Sequence, residues 1–176
     1  MTTLNLKALQ ACNMVASKEA SRPQLGGVYT HLNDQGYRVY VATNGHALIC
    51  IAEYVAGKDD EQAAIIPANV IARLKDKHLT TCELSGNQIT LGQDVFTFEP
   101  IGIAYPDYKR CMTWKEGEVD LIGLDPDSLL TITKAYRLYN DQKLAYPSLN
   151  FQDAISPIKI TFGNPAFTAI LMPVRA

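Results

Sequence analysis

Val41-Ala42-Thr43-Asn44-Gly45-His46-Ala47-Leu48 sets two apolar runs on either side of a turn. Asn44-Gly45 is a residue pair that favours the two-residue type I′ turn, whose backbone twist matches that of the flanking strands. The stretch therefore predicts a hairpin between strands at 37–43 and 46–55. Toward the N-terminus, Asp34-Gln35-Gly36 breaks the chain again, and 25–32 reads as a further strand. Before it, Leu9, Cys12, Val15 and Ala16 recur at helical spacing, after a short alternating stretch at 2–6. The unit is strand, helix, three strands.

It recurs twice. An apolar run at 63–66 leads to Pro67, placed where a first helical turn loses no hydrogen bond, and the helical pattern continues to about Lys77. Strands follow at 80–84, 88–91 and 95–101, divided by Ser85-Gly86-Asn87 and Gly92-Gln93-Asp94. The third copy opens at 119–124. Asp125-Pro126 supplies an N-cap and a first-turn proline, and Leu129, Leu130, Ile132, Thr133 and Tyr136 line the helix behind it. Strands at 148–152, 157–162 and 167–174 close the set. Three units share 176 residues, about 59 each. Single-faced antiparallel sheets must cover their apolar side, which gives an α+β arrangement with helices on one side and antiparallel sheets on the other. One such unit is marginal alone and needs a neighbour to share a core. Candidate seams are 56–62, a charged stretch that reads first as a solvated turn, and 113–118, a polar stretch that is either a seam or a turn.

With 47% hydrophobic and 19% charged residues, the chain holds the apolar material of a folded domain. No run approaches the ~20 apolar residues of a membrane-crossing helix. Met1-Thr2-Thr3-Leu4-Asn5 lacks the basic-then-apolar layout of a secretory leader, so a cytoplasmic location is expected. Cys12, Cys50, Cys82 and Cys111 stand tens of residues apart without a Cys-x-x-Cys pair, which predicts buried thiols and neither a metal site nor a disulfide. No cofactor and no catalytic residue are expected. His31, His46 and His78 fall in different units, and no Gly-x-x-x-x-Gly-Lys loop occurs. Asp107 with His46 is the one pair that would serve a small hydrolase, if a nucleophile met them.

The net charge of −2, from 16 Lys and Arg against 18 Asp and Glu, discourages a nucleic-acid reading until its distribution is read. Helical segments at 7–22, 67–77 and 125–138 hold Lys7, Lys18, Arg22, Arg73, Lys75, Lys77, Lys134 and Arg137 against four acids. They carry +4 and the remainder −6. Two readings are open: Lys and Arg are simply good helix formers, or one face is built to hold a polyanion.

Further motifs join the opening one. Arg22-Pro23-Gln24-Leu25-Gly26-Gly27-Val28, followed by the 41–48 stretch, resembles the middle domain of the bacterial DNA polymerase III beta subunit, the DNA sliding clamp, where the family shows Ala-Thr-Asp-Gly-His-Arg-Leu. Ile65-Ile66-Pro67 resembles its Val-Pro helix entry. Tyr105-Pro106-Asp107-Tyr108-Lys109-Arg110 resembles its Phe-Pro-Asp-Tyr-Arg-Arg, and Ile170-Leu171-Met172-Pro173-Val174-Arg175-Ala176 its closing Val-Val-Met-Pro-Met-Arg-Leu. Asn44, Ala47, Cys111 and Ala176 depart from the pattern, standing for an acid, an arginine, a hydrophobic residue and a leucine.

The resemblance implies the DNA-clamp fold. Residues 1–113 resemble a complete clamp domain of two motifs, and 119–176 only the second half of the last domain. Family clamps close twelve motifs around duplex DNA from two chains of six; at three motifs per chain, a homotetramer would be needed, each copy of 19.4 kDa. The implied function is a processivity factor that encircles double-stranded DNA without sequence preference and tethers a DNA polymerase, a clamp loader or other proteins carrying a clamp-binding motif. Lys18, Arg22, Arg73, Lys75, Lys77, Lys134 and Arg137 would face DNA. The partner-peptide pocket would be lined by Leu25, Thr43, Gly45, His46, Leu48, Pro106, Arg110, Ile170, Leu171, Met172 and Pro173. The alternative is a regulator or decoy without a ring, which occupies replication partners or a full-length clamp.

Overall fold

Asn5 ends one element and starts the next. Thr2–Asn5 forms strand β1, and the Asn5 side-chain oxygen accepts from the Ala8 N–H at 3.1 Å, capping helix α1, Leu6–Asn13. Leu6, Ala8, Leu9, Ala11 and Cys12 are its buried residues. Beyond Asn13 the chain closes tighter turns, with the Met14, Val15 and Ala16 N–H groups on the Ala11, Cys12 and Asn13 carbonyls; Ser17 N–H then bonds Leu25 O at 2.9 Å. The helix is half the length the sequence predicts. Lys18 and Arg22 lie on the connection after it.

The computed structural model describes residues 1–55, 62–113, 117 and 121–174, so the candidate seams at 56–62 and 113–118 lie largely outside the described residues. A 3-10 turn at Pro23–Leu25 leads to β2 (Gly27–Leu32), β3 (Tyr37–Thr43) and β4 (Ala47–Tyr54). The second unit comprises β5 (Ala64–Pro67), α2 (Ala68–Ile71), β6 (Thr81–Ser85), β7 (Gln88–Leu91) and β8 (Asp94–Thr97). Pro67 ends a strand, one residue before the helix it was expected to open. That helix is a single turn, beyond which the Arg73 and Leu74 N–H groups close tighter turns on the Val70 and Ile71 carbonyls, both at 3.0 Å, and Asp76 Oδ1 accepts from the His78 and Leu79 N–H groups at 2.7 and 3.0 Å in a separate turn. Arg73, Lys75 and Lys77 therefore also stand on a connection.

A short α3 (Lys109–Met112) precedes the third unit, which has α4 (Pro126–Asn140), β9 (Ser148–Asn150), β10 (Ile158–Thr161) and β11 (Phe167–Leu171). Asp125 caps α4 as the sequence predicts, accepting from the Asp127 and Ser128 N–H groups at 3.3 and 3.1 Å. The strand expected at 119–124 is described only from 121 onward. Residues 118–120 lie outside the described ones, and of 121–124 only Gly123 pairs, in one bridge with Val174. No helix among the described residues is long and apolar enough to cross a membrane.

Two sheets result, one ordered β1-β6-β7-β8 and the other β5-β2-β3-β4-β11-β10-β9. The first two units exchange their opening strands, since β1 joins β6 and β5 joins β2. The third unit continues the first unit's sheet through β4 and β11, with Leu48 opposite Ile170. All pairings are antiparallel. One core runs under all of this: Leu9 and Cys12 of α1, Ile71 of α2, Ile132 and Ala135 of α4, with Ile49 and Phe167 from the long sheet and Leu84 and Ile89 from the short one. Full burial of each large apolar side chain is worth roughly 1.5–3 kcal/mol. Strand alternation then sends Val39, Val41, Leu48, Cys50 and Ile170 to the opposite face, where Tyr108 covers them.

Candidate peptide-binding pocket and cationic face

The outer face of the long sheet carries a cavity of about 200 Å³, lined by Leu25, Thr43, Gly45, His46, Ala47, Leu48, Pro106, Asp107, Tyr108, Cys111, Ile170 and Met172. Three pieces of chain meet there: the β3–β4 turn, the 106–111 segment, and β11 with the residue after it. The fold brings together here eight of the eleven residues expected to line a pocket, and places the other three elsewhere. Leu171 neighbours Ile170 on a strand, so its side chain faces the helices and is buried in the core. Pro173 lines a separate cleft with Leu121, Ile122, Gly123, Ala154, Ile155 and Val174. Arg110 is exposed on α3, and the residues beside it, Tyr108 and Cys111, take the wall position.

The turn is centred one residue further on than the sequence implies. Asn44 N–H bonds Ala47 O at 3.3 Å, leaving Gly45-His46 as the central pair, and Gly45 takes φ +92°. Asn44 acts through its side chain, whose oxygen accepts from the His46 and Ala47 N–H groups, both at 2.9 Å. Thr43 Oγ1 donates to Ala47 O at 2.8 Å and accepts from Gly45 N–H at 3.0 Å. Met172 N–H bonds His46 O at 2.8 Å, which ties the tail of β11 to the turn.

The opposite wall hangs on aromatic contacts that sequence spacing did not disclose. Tyr105 stacks on Tyr29 at 5.0 Å between centroids, Tyr29 stacks on His31 at 5.1 Å, and His31 Nε2 lies 2.8 Å from the Tyr108 hydroxyl. Leu32 O can only accept, so Nδ1 at 3.2 Å carries the proton and Nε2 accepts from Tyr108. Burial lowers the His31 pKa from 6.5, which favours this neutral ring. Alternating residues Tyr29 and His31 on β2 were the available signal; nothing in the sequence pairs them with 105–108.

The cysteines divide. Cys12, Cys50 and Cys82 are buried, and burial pushes the Cys50 and Cys82 thiols up to about 12. Cys111 is exposed at the pocket wall, contrary to the expectation of four buried thiols, because α3 lies on the outside of the sheet. His46 and Asp107 share the pocket, yet among the described residues no hydrogen bond joins them, and the Thr43 hydroxyl is spent on a backbone carbonyl. No group of three His, Cys, Asp or Glu side chains gathers among the described residues to hold a metal ion.

The seven cationic residues singled out by the sequence are all exposed. Only Lys134 and Arg137 are on a helix, α4; the other five stand on connections, because α1 and α2 end early. α1 and α4 run antiparallel, since Lys7 Nζ meets Asp141 at 3.3 Å at one end, while Met14 to Glu19 share a cleft with Asp127, Ser128 and Thr131 at the other. Lys18 is in that cleft. Arg22 pairs with Glu19 at 3.6 Å and reaches the Gly45 turn, and Arg73 lies over the Phe96 ring at 5.0 Å. Lys75, Lys77, Lys134 and Arg137 have no such partner among the described contacts.

Bacterial sliding clamps are among the solved structures that this chain resembles in overall fold. The clamp of Bartonella birtlesii, DnaN or DNA polymerase III subunit beta, solved bound to griselimycin, superposes with a TM-score of 0.75 at 21% identity over 99% of this chain. That of Caulobacter crescentus gives 0.72 at 19% identity, and that of Bacillus subtilis 0.75 at 14%, each over 99% of this chain. The chain has the sliding-clamp fold. It spans 65%, 66% and 64% of the length of those three clamps. No protein-family model and no curated protein matches the sequence.

Proposed function

We propose that this chain is a sliding-clamp-like processivity factor: four copies close around double-stranded DNA, and the outer pocket tethers a polymerase, a loader or another replication or repair protein by a short linear peptide. Residues 1–113 serve as a complete clamp domain and 119–176 as a half domain completed by another copy. The observation that carries this reading is the placement of the pocket. It is roofed by the first and third units together, Leu48 against Ile170, on the sheet face opposite the helices, so a tethered protein and an encircled duplex would occupy different sides of one wall.

Chemistry supports each half. The pocket is apolar, with Leu25, Leu48, Ile170 and Met172 inside and Thr43, His46 and Asp107 at the rim, which suits an extended peptide with hydrophobic anchors. Exposed Lys and Arg aimed at phosphates need no base-reading partners, because a closed ring is held by topology. Neither a catalytic group nor a cofactor enters this function. The test is mass and topology together. A particle of four chain masses in light scattering, retained on nicked circular DNA and released when the circle is cut, is the expected result. Equal retention on circular and linear DNA refutes encirclement.

The pairing of Arg22 with Glu19 and of Lys7 with Asp141 favours a second reading, since it lowers the free positive charge on the helical side. In that reading the chain is a regulator or decoy without a ring that binds replication partners or a full-length clamp. A stable monomer or simple dimer with undiminished peptide binding would favour it.

A further inference from the structure

The first two units set a rule for how such units complete each other. In each, the residue that caps the helix pairs with the first residue of the strand following the other unit's helix: Asn5 with Thr81, and Pro67 with Gly27. One residue back, Leu4 meets Cys82 and Ile66 meets Val28, all four of them buried. One residue forward, Leu6 N–H bonds Thr80 O at 2.8 Å and Ala68 N–H bonds Gly26 O at 2.9 Å, so the hydrogen-bonding edge is the same in both.

The third unit has both halves of this arrangement and neither partner among the described residues. Its cap is Asp125, and its first strand after the helix is β9, which ends the long sheet and pairs only with β10. Gly123 O accepts from Val174 N–H at 3.0 Å, so alternation turns the Ile122 and Leu124 backbone groups to the opposite edge. Phe151 O points across the outer edge of β9, where Gly117 N–H reaches it at 3.3 Å, and Leu149 has the same parity. Ile122, Leu124, Leu149 and Phe151 are partly buried against the core on the same side. Leu121, Leu144, Tyr146, Ile155 and Val174 of this unit are exposed.

We propose that two copies exchange these strands about a two-fold axis: 122–125 of each pairs antiparallel with 148–151 of the other. Transferring the rule sets the register, with Asp125 opposite Ser148, Leu124 opposite Leu149, Gly123 opposite Asn150 and Ile122 opposite Phe151. Leu124 and Leu149 then repeat the buried pairs Leu4 with Cys82 and Ile66 with Val28. Ile122 N–H replaces Gly117 N–H on Phe151 O. Pro126 has no N–H, so the third ladder ends one bond earlier than the other two. The exchange rests on the self-association part of the ring reading and names its interface; it does not require DNA.

Gly123 and Asn150 form a non-hydrogen-bonded pair, whose Cα atoms lie about 4.5 Å apart, within disulfide reach. The test is Gly123→Cys with Asn150→Cys in a Cys111→Ser background, which removes the exposed thiol and leaves three buried ones. Mild oxidation is expected to give a reducible dimer on a gel, while Gly123→Cys with Gln152→Cys, out of register, stays monomeric. A disulfide within one chain, or free thiols at both positions, overturns the proposal. Should the variant fail to fold, amide exchange at Leu149 in the wild-type chain reads the same contact: it is expected to slow as concentration rises, and exchange independent of concentration overturns the exchange of strands. The ring is judged separately, by light scattering. A cross-linked particle of two chain masses keeps the strand exchange and removes the tetramer, whereas a particle of four chain masses without the cross-link does the reverse.

Discussion

His31 on β2 accepts a hydrogen bond from Tyr108 at 2.8 Å, and through it the sheet holds the 105–112 wall of the pocket. Only the neutral ring can accept. Burial lowers the His31 pKa from 6.5, so the contact stabilises the fold fully above about pH 6.5, and that stabilisation is lost as pH falls through the lower folded value. His31→Phe keeps an aromatic ring against Tyr29 and removes the titration. The wild type is expected to melt higher than the variant at pH 7.5, with the gap closing as pH falls below 6.5. A gap of constant size across that range contradicts the assignment.

Gly45 has φ +92°, and a Cβ there would stand 3.2 Å from Arg22 Nη1. Left-handed backbone costs an L-residue roughly 1–2 kcal/mol, and relief would displace His46 from the pocket rim. Gly45→Ala is expected to lower stability by about that amount in urea unfolding and to weaken a labelled peptide with leucine and phenylalanine anchors. Gly102→Ala, with nothing within 4 Å of its added carbon, is the control and should unfold with the wild type.

These two residues also mark how far sequence reading reached. The repeat, the Asp125 cap and the hairpin at 43–48 were legible because local chemistry sets them: an N-cap, a turn glycine, strict alternation. Eight pocket residues were legible through resemblance, since their segments are short and ordered along the chain. Leu171 was misplaced although alternation forbids both it and Ile170 from facing one pocket. Tyr108 and His31 stand 77 positions apart, and their contact is a product of packing that no local pattern announces. The helix lengths differ for a related reason: past Asn13 and Ile71 the N–H groups of Met14, Val15, Ala16, Arg73 and Leu74 bond carbonyls three residues back, a tightening that helical propensity does not announce.

Tyr139 of α4 donates to Glu53 of β4 at 2.6 Å, and Asn5 Nδ2 donates to the same oxygen at 2.8 Å. The third unit is thereby bonded to the first through a carboxylate. Hydrogen bonds to charged groups contribute about 1.5–3 kcal/mol, and Asn5 remains after Tyr139 is altered. Tyr139→Phe is expected to cost about 1–2 kcal/mol in denaturant unfolding at pH 7, with the slope against denaturant unchanged. No loss would mean that Asn5 alone satisfies Glu53 and that the two units are joined only by apolar packing and the β4–β11 ladder.

Lys134 and Arg137 decide whether the helical side holds DNA. Both are exposed on α4, three positions apart and so on one face of it, and neither is paired among the described contacts. Lys7, by contrast, is held by Asp141. If phosphates are the ligand, each cation removed takes about 0.9 from the slope of log affinity against log salt. Lys134→Ala with Arg137→Ala is therefore expected to flatten that slope by about 2 on a duplex of fixed length, whatever its sequence. Lys7→Ala should leave it within error, because its charge is already neutralised locally. A double variant with the wild-type slope would remove α4 from the DNA face, and Lys18, Arg22, Arg73, Lys75 and Lys77, all on connections, would have to carry the binding without it.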